Sequence, residues 1–297
     1  MKTKWIILFT ALACLVSCGG EPSLDMIGMI DGQSPGANQR FAGTGGGMMQ
    51  GLGHTLVNSP EADYKVYVGT DMHIDSNSGT AHTGAFFKAY TEDDSAPMAL
   101  ILGDLVDGKY SMKTASEKVR ELAGAKVGTT FLALGNHDIY FQLWKEWAAE
   151  WGKSNYTVQV RTPEGTDLYI CIDSASGHLG SSQMAWLKEV LEDAGGNSYR
   201  HIIVFTHTHM FKKDDAQGHT SNYPLEETWE LTSLFQRCGV ELFISGHCHS
   251  RDISHFNGVE YVVVDALDEH SPDSETGYMI LEAGKDLECK FFRFDGK

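Results

Sequence analysis

Residues 129–138 read TTFLALGNHD. An apolar, strand-forming run ends abruptly at a glycine, an amide, an imidazole and a carboxylate. Open α/β sheets bind their ligands beyond the carboxyl ends of the strands. A glycine at that point lets the backbone turn sharply and approach a ligand. The stretch therefore predicts a buried strand that delivers polar side chains to a site.

Four further polar clusters follow apolar runs in the same way. They are DMH at 71–73, GDLVD at 103–107, HTH at 207–209 and GHCH at 246–249. Asp, Asn and His offer the oxygen and imidazole ligands that suit Mn, Zn, Fe or Mg. A single cluster of this kind is a common accident, but a fixed string such as GNHD has roughly one chance in 160,000 per position. Five clusters in order predict a metal-dependent site.

Strand-like and helical patterns alternate from residue 64 onward. Predicted strands cover 64–68, 98–102, 129–134, 156–161, 167–173, 201–205, 240–245, 259–265 and a closing pair within 277–294. Predicted helices cover 111–122, 139–151, 182–191 and 226–238. Strands that alternate with helices and then give way to hairpins indicate a layered α/β fold with two sheets.

The five clusters resemble the calcineurin-like metallophosphoesterase superfamily, whose pattern runs DxH, GDxxD, GNH(D/E), H and GHxH. The resemblance covers residues 64 to about 250. It implies a layered β-sandwich flanked by helices, in agreement with the α/β pattern. It also implies a cofactor of two divalent metal ions, of Mn, Fe, Zn or Mg.

Carried onto this sequence, the resemblance implies a set of nine site residues. The metal ligands would be Asp71, His73 and His249 on one ion, Asn136, His207 and His247 on the other, and Asp104 bridging both. His137 matches the catalytic histidine of the family, and Asp107 matches the carboxylate that orients it. The family usually has His-x-Pro or His-His-Pro at the fourth cluster. Aligning that proline with His209 makes His207 the ligand and leaves His209 as the alternative.

The implied activity is hydrolysis of phosphomonoesters or phosphodiesters. Two cations would acidify a bridging water to hydroxide, and His137 would protonate the leaving oxygen. The alternatives are a cyclic-nucleotide hydrolase, a lipid-linked pyrophosphate hydrolase, or a non-catalytic, metal-holding surface lipoprotein that binds a partner. Protein serine/threonine phosphatases carry an arginine directly after the Asp107 equivalent, and this chain has Gly108 there. The pattern therefore does not indicate that subfamily.

The excess of acidic residues limits the kinds of partner that the protein can bind. The formal net charge is −17, from 23 Lys+Arg and 40 Asp+Glu. Long nucleic acids are bound through many Lys/Arg–phosphate contacts, so this balance argues against them. The same charge repels an anionic substrate unless bound cations reverse the sign locally. A small phosphoester substrate therefore requires the metal ions. Oligomeric state stays open.

The first residues indicate targeting rather than fold. Lys2 and Lys4 precede an apolar run that ends at Val16 and is too short to span a bilayer. The following LVSCG resembles a bacterial lipoprotein signal, which predicts that residues 1–18 form the signal segment, with cleavage before a Cys18 that is retained and lipidated. An ordinary secretory signal is the alternative. Both place the mature protein outside the cytoplasm, and the first anchors it to a membrane.

Residues 19–63, with the glycine-rich run at 43–47, are predicted to be a flexible tether, and 64–297 the metallophosphoesterase domain. Four cysteines remain in that domain, at 171, 238, 248 and 289, without a disulfide or zinc spacing, so buried thiols are expected.

The aromatic stripe Tyr140, Trp144, Trp147 and Trp151 is predicted to pack in the core, with stacking on a substrate ring as the alternative. Residues 212–224 are predicted to form an exposed loop beside the site.

Overall fold

The computed structural model describes residues 35–43, 54–74, 80–107, 110–196, 198–211, 223–268 and 276–294. They form two β-sheets with helices on the outer faces, which confirms the predicted α/β fold class. The helices are α1 Ala37–Ala42, α2 Thr80–Glu92, α3 Met112–Ala123, α4 Trp144–Trp151, α5 Ser181–Gly196 and α6 Leu225–Cys238. Short 3₁₀ helices cover Gly124–Thr129 and Tyr140–Gln142.

The strands are β1 His54–Asn58, β2 Tyr64–Gly69, β3 Met98–Ile101, β4 Thr130–Leu132, β5 Tyr156–Thr162, β6 Gly165–Cys171, β7 Tyr199–Phe205, β8 Leu242–Ser245, β9 Asp252–Phe256, β10 Val259–Val263, β11 Gly277–Ala283 and β12 Leu287–Arg293. The larger sheet has the order β1-β5-β6-β7-β8-β10-β9, and its strands β6, β7, β8 and β10 are parallel. The smaller sheet has the order β12-β11-β2-β3-β4, with β2, β3 and β4 parallel.

The two sheets pack face to face because alternate side chains of each strand point to opposite sides. In β7, Ile203 and Phe205 belong to the core that both sheets share, whereas Ile202 and Val204 pack in a second core that contains helices α5 and α6. The Tyr156 hydroxyl of β5 donates to the carbonyl of Leu132 in β4, at 2.8 Å. Each large apolar side chain buried in these layers stabilises the fold by about 1.5–3 kcal/mol.

Two helix ends follow local signals, whereas α4 begins five residues later than the helix predicted over 139–151 and α5 ends five residues beyond the one predicted over 182–191. Ser111 caps α3 by accepting a hydrogen bond from the backbone N–H of Thr114, at 3.3 Å. Helix α6 ends at Gly239, whose φ of 73° is the left-handed conformation that glycine adopts at low cost. Among the described residues, no helix combines the length and the apolarity that crossing a bilayer requires.

The predicted tether over residues 19–63 is wrong for its described parts. Helix α1 lies inside this range, and its Arg40 is fully buried against Asp173. Strand β1 extends the larger sheet as the parallel edge partner of β5, with Val57 buried. Both segments contact partners more than 90 residues away in sequence, and no local hydrophobic periodicity indicated them. Helix α2 and strand β9, which pairs with the adjacent β10, were also not predicted.

The described residues test two other sequence predictions. Trp144, Trp147 and Trp151 are buried in the core, so the packing interpretation of the stripe is confirmed for them. All four cysteines of the predicted domain are free thiols; Cys171 and Cys238 are buried as predicted, whereas Cys248 and Cys289 are only partly buried. The signal segment with Cys18, most of the glycine-rich run and residues 212–222 of the predicted loop lie outside the described residues.

Candidate metal centre

Both sheets present the carboxyl ends of their parallel strands to one edge of the molecule. Asp71 follows β2, Asp104 follows β3 and Asn136 follows β4 in the smaller sheet. His207 follows β7 and His247 follows β8 in the larger sheet. The five polar clusters of the sequence therefore converge where the two sheets meet, as the position at strand ends predicted.

The first group of ligand atoms comes from Asp71, His73 and His249. The Nε2 atoms of His73 and His249 are 3.2 Å apart, and Asp71 Oδ1 lies 3.2 Å from His249 Nε2. His73 Nε2 is also 3.8 Å from Asp104 Oδ2. One atom from each member of the group lies within 4.8 Å of the others, which is a spacing that can hold one metal ion.

The second group surrounds His207 Nε2. This nitrogen lies 2.8 Å from Asn136 Oδ1, 3.2 Å from His247 Nδ1 and 3.3 Å from Asp104 Oδ2. Asp104, His207 and His247 together can hold a metal ion. Because Asp104 Oδ2 reaches both His73 and His207, it stands between the two groups, where a bridging ligand is needed.

The hydrogen bonds around the centre turn acceptor atoms inward. His207 Nδ1 donates to the carbonyl of Leu102, at 2.9 Å, so the lone pair of Nε2 faces the centre once a metal ion displaces the proton of that nitrogen. The Asn136 amide donates to the Tyr140 hydroxyl, at 3.0 Å, which turns Asn136 Oδ1 the same way. Facing acceptors repel one another unless a cation lies between them. This donor set fits a divalent metal ion.

The two carboxylates are arranged alike. Asp71 Oδ2 accepts from the hydroxyl of Thr70 and the backbone N–H of His247, at 2.7 and 2.9 Å. Asp104 Oδ1 accepts from the backbone N–H of His137, at 2.9 Å. In each carboxylate, one oxygen therefore accepts the hydrogen bonds that fix its orientation, and the other oxygen faces the histidines of the centre.

Charge is distributed so that the centre attracts cations. Burial alone would raise the pKa of Asp71, but the hydrogen bond from His249 and the charge of His207 outweigh it and hold the pKa well below the usual value. Burial would also raise the pKa of Asp104, but the charge of His207 outweighs it and lowers that pKa to about 2. The Asp104 charge in turn overcomes burial and raises the pKa of His207 to about 9. Burial and the charge of His207 lower the pKa of His247 to about 4. Both carboxylates stay ionised at neutral pH and supply hard, anionic ligands.

The backbone at the centre is tightly constrained. Positive φ angles, which cost a non-glycine residue of order 1–3 kcal/mol, occur at five of the predicted ligands: Asp71, His73, Asp104, His247 and His249. The preceding glycines permit the close approach of the loops. A Cβ on Gly135 would overlap Asp104 Oδ1, and a Cβ on Gly246 would overlap the Thr70 hydroxyl. The ligand loops thus touch one another through backbone, with no room for larger residues.

Asp138, which was not among the predicted site residues, connects the ligand loops. Its buried carboxylate accepts from the backbone N–H groups of Asp104, Leu105 and Gly135, at 3.0, 2.8 and 2.9 Å. Burial and the nearby Asp104 charge raise the pKa of Asp138 to about 7. The only available signal was its membership of the GNHD string. Tyr140, which orients Asn136, was likewise assigned to the core, but it is half-buried beside the centre.

His137 lies at the open side of the centre. Its ring is 4.7 Å from the ring of His73, and its Nδ1 is 3.4 Å from Oδ1 of the half-exposed Asp107. His137 also lies within metal-binding reach of His73 and Asp104, so geometry leaves both a proton-transfer and a ligand role open to it. The structure thus brings all nine predicted site residues together.

His209, the alternative ligand of the fourth cluster, lies outside both groups. Its Nδ1 is 3.1 Å from the Cys248 sulfur, and its ring stacks against that of His247 with centroids 5.8 Å apart. His207 faces the centre instead. Successive side chains leave the chain in different directions here, and the sequence did not decide which histidine points inward.

Comparison with known proteins gives one family for most of the chain. A model of the calcineurin-like phosphoesterase family matches residues 64–251, which confirms the resemblance drawn from the five clusters. A serine/threonine-protein phosphatase of Danio rerio is 25% identical over 199 residues, covering 61% of this chain. The match spans 63% of the length of that relative.

Solved structures agree on the fold. A dimetal phosphatase from Danio rerio superimposes with a TM-score of 0.57 at 12% identity, over 77% of this chain and 96% of that one. An anchor protein of the Plasmodium inner membrane complex gives a TM-score of 0.59 at 14% identity, over 80% and 87%. The predicted metallophosphoesterase fold is confirmed. The family match and the two ligand groups also bear out the prediction of a divalent-metal cofactor, while the role of each side chain stays a prediction.

Proposed function

The chain belongs to the calcineurin-like phosphoesterase family, a family of metal-dependent phosphoric ester hydrolases, and from this premise we propose that it hydrolyses phosphomonoesters or phosphodiesters outside the cytoplasm. The observation that carries the proposal is the convergence of two ligand groups on Asp104, with His137 beside them. A protein that only displays a surface to a partner needs neither the shared carboxylate nor the adjacent imidazole. This makes the non-catalytic alternative the weaker one.

We assign one ion to Asp71, His73 and His249 and the other to Asn136, His207 and His247, with Asp104 on both. When bound, two divalent ions supply a nucleophilic water near neutral pH and offset charge on the phosphoryl oxygens. The side chains of the chain perform the remaining tasks. Asp71 and Asp104 contribute the negative charge that retains cations in a protein whose net charge already favours them.

His137 is assigned to the leaving group. Asp107 Oδ1 lies 3.4 Å from its Nδ1 without a hydrogen bond between them, and we assign it the role of orienting the ring during the reaction, which leaves Nε2 to transfer a proton to the departing oxygen. The ring stands edge-on to that of His73, so it adjoins the metal centre without entering either of the groups that surround Asp71 and His207. A reacting phosphoester would lie between His137 and the ions.

The proposed location outside the cytoplasm rests on the amino-terminal sequence. The basic start, the short apolar run and the LVSCG segment have the order of a lipoprotein signal, and lipidation of Cys18 would attach the protein to a membrane. A hydrolase in that position would meet phosphoesters released outside the cytoplasm or carried on lipids.

The test of the function compares rate with metal content. Purified protein stripped with EDTA should lose hydrolysis of nitrophenyl phosphate and bis(nitrophenyl) phosphate, and Mn²⁺ should restore it. His137→Ala should lower kcat on an alkyl phosphate by roughly two to four powers of ten while two metal equivalents remain. The loss should be smaller on nitrophenyl esters, since nitrophenolate leaves with little protonation. Loss of a metal equivalent in His137→Ala would instead make His137 a ligand, and full activity after stripping would exclude the metal mechanism.

Identifying the substrate class requires a comparison of several phosphoesters. The Danio rerio relative is named as a serine/threonine-protein phosphatase, so a phosphoserine peptide belongs beside cyclic nucleotides and a lipid-linked pyrophosphate. The position of Gly108, where that subfamily carries arginine, argues against the peptide. The ester with the highest kcat/KM identifies the substrate class. Hydrolysis of none of them, in protein that binds two metal equivalents, would favour the binding lipoprotein.

A further inference from the structure

Strained backbone outside the ligand loops is concentrated at one place. Among the described residues, the non-glycine positions with positive φ that are not predicted ligands are Phe141 (φ 54°), Gln142 (φ 70°) and Asn257 (φ 52°). Asn257 precedes Gly258 in the β9–β10 hairpin, where an Asn-Gly turn favours this conformation. Phe141 and Gln142 have no such turn chemistry. Consecutive outliers of this kind cluster at functional sites, where the surrounding structure holds them.

The strain turns an aromatic ring to solvent beside the metal centre. Phe141 is 50% exposed although it follows the GNHD loop by only three residues. The neighbouring Tyr140 is half-buried and fixed by the hydrogen bond from Asn136, at 3.0 Å. An extended helix over residues 139–151 was expected, and the left-handed pair interrupts it. The interruption separates the buried tryptophans of α4 from the two aromatic rings nearest the site.

Three rings form a continuous row from the centre outward. The ring centroid of Tyr140 is 5.0 Å from that of His137, and that of Phe141 is 6.5 Å from that of Tyr140. Both spacings lie in the range in which aromatic rings attract one another. Because His137 is assigned to the leaving oxygen, the group attached to that oxygen would emerge along this row.

We propose that Tyr140 and Phe141 form a leaving-group subsite for an uncharged, planar aromatic ring carried by the alcohol of the phosphoester. The inference rests on the proposed function, in which His137 faces the leaving group, and it deepens that function by naming a substrate class. An aromatic alcohol can place its ring against the exposed face of Phe141 while its phosphate lies at the centre. The half-exposed Asp107 beside His137 disfavours an anionic leaving group on the same side.

The test separates stacking from leaving-group chemistry. The two substrates are 2-phenylethyl phosphate and 2-cyclohexylethyl phosphate, primary esters of similar size whose alcohols have similar acidity. The parent should prefer the aromatic ester in kcat/KM by roughly three- to ten-fold. Phe141→Leu keeps apolar volume without a flat ring and should reduce the ratio to about one. Phe141→Trp restores a planar ring and should retain the preference.

The matched control is Phe256→Ala. Phe256 is also an exposed aromatic residue, 36% accessible. It is the last residue of β9 and pairs with Val259, the first residue of β10, away from the carboxyl ends of the parallel strands. Its variant should keep the parent ratio and rates. A parent that hydrolyses both esters equally, or a Phe141→Leu variant that keeps the preference, overturns the subsite and leaves the phosphoesterase function standing. A parent that hydrolyses neither ester but does hydrolyse nitrophenyl phosphate or bis(nitrophenyl) phosphate overturns the subsite alone, and a parent that hydrolyses none of the four overturns both.

Discussion

Replacing Arg40 by alanine should destabilise the protein by about 3 kcal/mol, although this residue lies in a segment that the sequence indicated to be a tether. Its guanidinium is fully buried and donates to both oxygens of Asp173, at 2.8 and 3.0 Å, and to the carbonyl of Pro35, at 2.7 Å. Removing one member of a buried pair costs about 3–5 kcal/mol, because the other charge stays buried. Asp173 keeps donors from the Ser154 hydroxyl and the Ala175 N–H, so the lower end applies.

Urea unfolding followed by tryptophan fluorescence measures this cost. With a denaturant dependence of about 3 kcal/mol per molar, the midpoint should fall by about 1 M. Lys88→Ala, which removes a largely exposed ion pair with Glu92, is the control and should change stability by less than about 0.5 kcal/mol. The double variant Arg40→Met with Asp173→Asn should cost less than the two single changes together. An Arg40→Ala midpoint indistinguishable from that of the parent would refute the buried contact and support the prediction of a flexible tether.

Three further changes test the centre and the anchor. Asp104→Asn should lose more metal than any other single ligand variant, because it weakens both groups; two full equivalents by metal analysis would contradict its bridging position. Asp107→Asn should lower kcat on alkyl phosphates less than His137→Ala does, with unchanged metal content, and a defect confined to KM would remove its orienting role. Cys18→Ala should shift the protein from the membrane fraction to the soluble extracytoplasmic fraction, whereas an unchanged distribution would support another means of attachment.

The strands of the central sheets were predictable because their signal is local. Apolar runs such as 64–68 and 201–205 are bounded by polar residues and match β2 and β7 within two residues. Helix α3 was predictable from the helical spacing of Met112, Ala115 and Val119, which are buried in the structure. Helix α2 was not, because its weak helix formers, such as Thr83 and Gly84, are overridden by packing of Phe86 and Phe87 in the core.

The sequence by itself determined which residues could bind metal, because the side-chain chemistry and the position at a strand end are properties of short segments. It could not determine the groups they form. That Asp104 reaches both His73 and His207, and that His207 rather than His209 points inward, depends on how two separate sheets meet at one edge. Arg40 shows the same limit, since it acquires its role from Asp173, which only the folded chain brings within hydrogen-bonding distance.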